Sequence, residues 1–346
     1  MARAFITGVE GPVLSEAECS FLRDADPWGL ILFRRNVATP DQVHALVSAF
    51  RDAVGRADAP VLVDQEGGRV QRLGPPHWSA YPPGAAYAAL YAQDADAGLA
   101  IARLSARLIA ADLADLGITV NCLPIADVPT PDANPIIGDR AYGTTPASVS
   151  AIGMAVAVGL MEGGILPVLK HLPGHGRGTA DSHLNLPVVT TDRATLEATD
   201  FAAFRPLAKL PLGMTAHIVY TALDAFSPAT TSAAVVSDVI RGHIGFDGAL
   251  MSDDLSMNAL SGTIAERTRE SLGAGCDLAL HCNGHMDEMR QVAAEAPLLR
   301  GDAARRTEAA LAVRKEPAAF DIAEARSRFF AMMTNVSRIS GRAATA

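Results

Sequence analysis

Residues Gly164-Ile-Leu-Pro-Val-Leu169 form an apolar run that stops at Lys170-His171, and the next stretch, Leu172-Pro-Gly-His-Gly-Arg-Gly-Thr-Ala-Asp-Ser-His183, is rich in glycine and histidine. A short apolar run closing on charged groups reads as a buried strand that delivers side chains to a site. Gly174, Gly176 and Gly178 predict a loop able to bend over that site. Leu166–Leu169 is the fifth of eight such runs. The others are Ala4–Thr7, Gly29–Phe33, Pro60–Val63, Ile118–Leu123, Leu212–Thr215, Ala249–Met251 and Asp277–Leu280. Between them, Asp41–Val54, Asp94–Leu116, Pro146–Met161 and Ile264–Ala274 carry apolar residues at helical spacing. Strands alternating with helices predict a parallel sheet, and eight of them predict an α/β chain folded as a single (β/α)8 TIM-type barrel.

The bulk properties agree with one large barrel. Of the 346 residues, 49% are hydrophobic and 19% charged, enough to bury an extensive core. No linker rich in proline, glycine or serine divides the chain and no internal repeat is visible, so residues 1–335 are expected to form one domain. Residues 336–346, where the apolar pattern is lost, are expected as a flexible tail. Pro75-Pro76 and Pro82-Pro83 mark a long loop, Leu73–Ala85, after the third strand. The net charge of −9, without a basic run, argues against a nucleic-acid partner. The N-terminus lacks a signal-like apolar stretch, and the apolar run around Ala151–Leu160 is too short to span a bilayer, so no membrane partner and a cytoplasmic location are expected. Cys19, Cys122, Cys276 and Cys282 are scattered without metal-ligand spacing and read as thiols in a reducing compartment.

Polar residues follow the runs: Arg34-Arg35-Asn36, Asp64-Gln65-Glu66, Asn121 through Asp127, Lys170-His171, His217, Ser252-Asp253-Asp254 and His281. In a parallel barrel all these strand ends open on one face. Adjacent strand residues point to opposite sides, so one of Asp253 and Asp254 should face the mouth while the other holds the loop. A carboxylate there reads as a nucleophile, a metal ligand or a structural cap. Asp181 and His183, two apart, suit an acid/base pair in which the carboxylate fixes the imidazole tautomer, or a hydrogen-bonded loop pin. Lys170, turned inward, needs a polar ligand or an ion-pair partner. Asp64 with Arg69 and Arg72 would grip hydroxyl groups or form surface ion pairs. Arg140, in Asn134-Pro-Ile-Ile-Gly-Asp-Arg140-Ala-Tyr142, is weak in isolation.

Taken in order, Asp64-Gln-Glu-Gly-Gly-Arg-Val-Gln-Arg72, Asn134 to Arg140, Lys170-His-Leu-Pro-Gly-His-Gly176, Asp181-Ser-His183 and Ser252-Asp-Asp-Leu-Ser256 resemble the family 3 glycoside hydrolases. Within that family the chain is similar to the single-domain bacterial β-N-acetylglucosaminidases of peptidoglycan recycling, from Gly8 to about Cys282. The resemblance implies a retaining mechanism with Asp253 as nucleophile and with His183, oriented by Asp181, as general acid/base. It also implies that Asp64, Arg72, Arg140, Lys170 and His171 bind N-acetylglucosamine, and that the substrate is a muropeptide or another glycan ending in that sugar. Leu172, Trp28 and Tyr142 stand where the family usually has other residues.

Two other classes fit parts of the sequence. His171, His175, His183, His217 and Asp253 could ligate a metal, but no short paired-histidine motif is present. A catalytically silent sugar-binding protein should lack Asp253 or the Asp181–His183 pair. Hydrolysis against transfer to phosphate stays open at this level. No cofactor and no metal is called for, and a monomer is expected.

Overall fold

A computed structural model describes residues 1–181 and 185–343, with side chains placed up to residue 334. Eight parallel strands close into a barrel in chain order: β1 Arg3–Thr7, β2 Pro27–Leu32, β3 Val61–Val63, β4 Val120–Asn121, β5 Leu166–Leu172, β6 Leu212–Thr215, β7 Ala249–Asp254 and β8 Leu278–His281. Closure is between β1 and β8, where Phe5 pairs with Ala279 and Thr7 with His281. The (β/α)8 architecture expected from the spacing of apolar runs is therefore the one observed. Helices Pro40–Val54, Ala95–Ala114, Pro146–Glu162 and Ile264–Gly273 fall within a residue or two of their expected positions. The backbone helix Ile322–Ala343 runs through most of the segment 336–346.

The period of two along each strand divides the core. Leu30, Leu32, Val61, Val63, Leu169 and Leu250 pack outward against the helices, while Ile31, Leu62, Leu166, Val168, Ala249 and Met251 fill the barrel interior. Continuing each inward series by two residues past the last apolar layer gives Phe33, Asp64, Lys170, Asp253 and Cys282. Alternation thus carries these side chains to the C-terminal mouth.

Two strands outrun their apolar stretches. The hydropathy pattern places the ends at Leu169 and Met251, but the ladders continue to Leu172, which pairs with Thr215, and to Asp254, which pairs with Leu280. Lys170, His171, Asp253 and Asp254 therefore lie on strands instead of following them. Both ladders slip register over these last residues, between Leu169 and Leu172 and between Met251 and Asp254. The extra residue in each slip lets His171 and Asp254 also reach the mouth, to which the inward series brings Lys170 and Asp253. The fourth strand is shorter than its apolar run: Thr119 lends its hydroxyl to the Val61 amide at 3.1 Å, and Pro124, next to Leu123, has no amide to donate.

Candidate active site

At the C-terminal mouth of the barrel lies a cavity of about 260 Å³, whose walls include Phe33, Asp64, Arg72, Arg140, Lys170 and Asp253. His171, Asp254 and His175 also contribute. Six residues singled out from the sequence, Asp64, Arg72, Arg140, Lys170, His171 and Asp253, are thus brought together from β3, β5, β7 and two loops. Asp181 is described, and its carbonyl accepts from the Asn185 amide at 2.9 Å. His183 lies outside the described residues.

The floor is a chain of buried ion pairs. Asp64 accepts from Arg72 at 3.0 Å and from Lys170 at 2.9 Å. Lys170 also lies 2.7 Å from Glu66, which accepts both Nε and Nη2 of Arg140, at 2.9 and 2.8 Å. Burial works against charge on Asp64, yet Lys170 and Arg72 hold its carboxyl well below the usual carboxylate range. Burial likewise opposes Lys170, but Asp64 and Glu66 keep its ammonium protonated to higher pH than normal. The sequence reading assigned no role to Glu66. Its signal is there, however, in the spacing Asp64-x-Glu66, which puts two carboxylates on one side of an extended segment.

That segment is fixed by its neighbours. The Asn121 side chain exchanges two 3.0 Å hydrogen bonds with the Gln65 backbone, and the Gln65 amide group binds the backbone of Arg72 and Leu73. Gly67 has φ +98°, and a Cβ there would sit 2.3 Å from the Pro82 carbonyl. The Gly67-Gly68 pair thus lets the turn pack against the proline-rich loop.

Asp253 and Asp254 both reach the cavity, where alternation alone would bring one, and they divide their work. Asp254 Oδ1 accepts the Ser256 and Cys282 amides at 3.0 and 3.1 Å, and Oδ2 accepts the Ser256 hydroxyl at 2.6 Å, so this carboxylate secures the loop. Among the described residues the Asp253 side chain takes one hydrogen bond, from the Asp254 amide to Oδ1 at 2.8 Å. Burial would raise its pKa, but His217, His171, that amide and Lys170 hold it below the ordinary carboxylate value, so it is ionised at neutral pH. His217 is buried and donates from Nε2 to the Asp254 carbonyl at 3.0 Å, which leaves Nδ1 to accept from Thr230 at 2.7 Å. Burial favours this neutral form. Among the described residues, no group of three or more histidine, cysteine, aspartate or glutamate side chains is arranged to hold a metal.

Asp127 is the second carboxylate that the sequence reading left without a role. It is fully buried. Its Oδ2 lies 2.7 Å from His171 Nδ1, and its Oδ1 accepts the His171 and His175 amides at 3.2 and 2.6 Å. Burial opposes its ionisation, but His171 and His175 hold its pKa at about 2. The ionised carboxylate fixes the proton of His171 on Nδ1 and turns Nε2 to the cavity.

The loop after β5 is anchored beneath. Gly176 and Gly178 offer their carbonyls to the Thr130 and Asn134 amides at 3.1 and 2.8 Å. A Cβ on Gly176 would sit 2.0 Å from the Val128 carbonyl, so close packing already requires glycine there, apart from any bending. Arg177 pairs with buried Asp200 at 2.7 Å. His175, buried beside His171, is pushed by burial and by that neighbour down to about 4 from 6.5.

The sign of the resulting pH effect is definite. Between pH 6.5 and 4 the unfolded chain holds a proton on this histidine that the folded one does not. Stability therefore falls as pH drops through that window, by about 3 kcal/mol, and the group adds no further slope below it. Melting temperatures measured from pH 7 to 4 should show this acid slope, and His175→Gln should flatten it. An unchanged slope in the variant would remove His175 as its source.

Comparison with known proteins gives concordant results. A family model described as the glycosyl hydrolase family 3 N-terminal domain matches residues 10–309. A beta-hexosaminidase from Methylococcus capsulatus is 41% identical over 277 residues, covering 79% of this chain and 80% of that protein. One from Alkalilimnicola ehrlichii is 39% identical over 280 residues, covering 80% and 79%. The crystal structure of NagZ from Neisseria gonorrhoeae in complex with N-trifluoroacetyl-D-glucosamine superposes with a TM-score of 0.84 at 30% identity, covering 97% of each chain.

Proposed function

The chain belongs to glycosyl hydrolase family 3, and from that premise we propose that this glycoside hydrolase is a retaining exo-β-N-acetylglucosaminidase. It removes non-reducing terminal β-linked N-acetylglucosamine, and its substrates are 1,6-anhydro-muropeptides of cell-wall recycling. It acts in the cytoplasm as a monomer, with residues 1–335 as one catalytic domain. The observation that carries the reading is that ionised Asp253 lines the same small cavity as Asp64, Arg72, Arg140, Lys170 and His171.

In this reading the ion-paired floor grips the hydroxyl groups of one sugar ring, since arginine, lysine and aspartate side chains donate and accept in fixed directions. Asp253 attacks C1 through an oxocarbenium-like transition state while protonated His183, oriented by Asp181, gives its proton to the departing oxygen. Neutral His183 then takes a proton from the water that cleaves the glycosyl-enzyme. The cation-rich floor is matched to polar sugar hydroxyls, and Phe33 supplies an apolar wall beside them.

The test is release of 4-nitrophenol from its β-N-acetylglucosaminide and its β-glucoside, with the sugar product followed by NMR in phosphate buffer. Expected are preference for the acetamido sugar and a first-formed product that is the β-anomer of free N-acetylglucosamine. An α-anomer would overturn retention, and a sugar 1-phosphate would replace hydrolysis by transfer to phosphate.

A further inference from the structure

We propose that Glu66 is a positioning residue for substrate binding: without touching the sugar, it fixes the spacing of the two cations, Lys170 and Arg140, that do. The inference rests on the reading above and deepens it. Lys170 and Arg140 both line the cavity, whereas Glu66 is not among its walls. It stands behind them with a side-chain exposure of 5%, bound to Arg140 through two nitrogens and 2.7 Å from the Lys170 ammonium.

Those bonds decide what Arg140 can offer. Nε and Nη2 each give one hydrogen to Glu66, and Nη1 gives one to the Ile136 carbonyl at 3.2 Å. Of the five N–H groups of a guanidinium, one on each terminal nitrogen thus meets no acceptor among the described residues and is left for a ligand. A bidentate clamp also sets the plane of the guanidinium, so those hydrogens have a fixed direction. Lys170 lacks such a plane, and its position is set by being held between Asp64 and Glu66.

Charge balance makes the arrangement depend on Glu66. Asp64 and Glu66 are the two anions among Arg72, Lys170 and Arg140. Losing one leaves two neighbouring cations, both nearly buried, without the carboxylate between them. Glutamine in its place keeps one acceptor where Glu66 Oε1 meets both Lys170 and Arg140 Nη2, but it turns an NH2 group on Arg140 Nε and removes the charge. Arg140 thereby loses the second bond of the clamp that sets its plane, while Lys170 keeps Asp64 as its charged partner. Because both cations meet the sugar in ground state and transition state alike, the loss appears in KM.

The test is steady-state kinetics on 4-nitrophenyl β-N-acetylglucosaminide for wild type, Glu66→Gln, Arg140→Gln and the double variant, with inhibition by N-acetylglucosamine. Glu66→Gln is expected to raise KM and the inhibition constant together by about tenfold or more, with kcat changed by less than about threefold. In the Arg140→Gln background the same change should raise KM by less than about twofold, because the clamped partner is already gone. A wild-type KM in Glu66→Gln, or effects that simply multiply, overturns the proposal. Should Glu66→Gln not fold, Glu66→Asp decides: its charge is kept on a stem too short to reach both cations, so a raised KM supports the proposal and a wild-type KM overturns it. A wild-type protein that releases no nitrophenol sinks the functional reading instead, and the cycle is then read on N-acetylglucosamine binding by calorimetry.

Discussion

Asp253→Ala is expected to lower kcat/KM on N-acetylglucosaminides by on the order of 10⁴-fold or more, while the protein stays folded. The size of the effect follows from position and charge. Ala249, Met251 and Asp253 form one inward series on β7, so the carboxylate is carried to the mouth by the same alternation that packs the barrel beneath it. Among the described residues its side chain accepts one hydrogen bond, from the Asp254 amide to Oδ1, with no donor on Oδ2, and the carboxyl is ionised at neutral pH. An anion held at the mouth with one oxygen uncommitted is suited to attack a carbon that develops positive charge.

Folding should tolerate the change. Removing a buried carboxylate also removes its desolvation cost, and the loop's own ties run through Asp254, which is untouched. A further arm separates nucleophile from bystander: in Asp253→Ala the vacated space admits azide, which should attack C1 from the same face and give an inverted glycosyl azide. Folded variant protein with ordinary turnover would refute the assignment of Asp253.

The barrel was legible because its signal is repeated. Eight apolar runs with charged ends, separated by helical patterns, leave few other arrangements, and the inward phase of Val168–Lys170 and Met251–Asp253 could be followed from the apolar residues alone. What escaped was of two kinds. Strand ends were placed at the first charged residue, although the main-chain ladder has no such preference when the charge is paired, as Lys170 is by Asp64 and Glu66. Residues carried by irregular backbone were harder still. Asp127 follows a two-residue strand, and its partner His171 lies 44 positions away. Arg140 sits on the turn Gly138–Arg140, in a loop tied to Arg69 through Asp139 and the carbonyls of Pro135 and Ile136. Periodicity says nothing about such segments; only the ordered set of motifs pointed to Arg140, and nothing but the fold pointed to Asp127.

His183→Ala should show a loss that depends on the leaving group. An alkoxide leaving from a glycan is a strong base and departs only with a proton, so on a disaccharide or muropeptide the variant should lose about 10²- to 10⁴-fold in kcat/KM. Nitrophenolate is a weak base and leaves nearly unaided, so kcat/KM on the nitrophenyl substrate should fall by less than about tenfold. In the proposed mechanism the second half-reaction draws on the same imidazole as a base whatever the aglycone. Glycosyl-enzyme should therefore accumulate in the variant, giving a burst of nitrophenol matching the enzyme concentration, a low kcat and a depressed KM. Asp181→Asn should shift the same way by a smaller factor, since in the proposed pair the imidazole remains but loses the carboxylate that raises its basicity. Equal losses on both substrates, with no burst, would mean that the proton comes from a group other than His183. The retaining role of Asp253 would survive that outcome, because its test reads the anomer and the azide product, neither of which depends on where the proton originates.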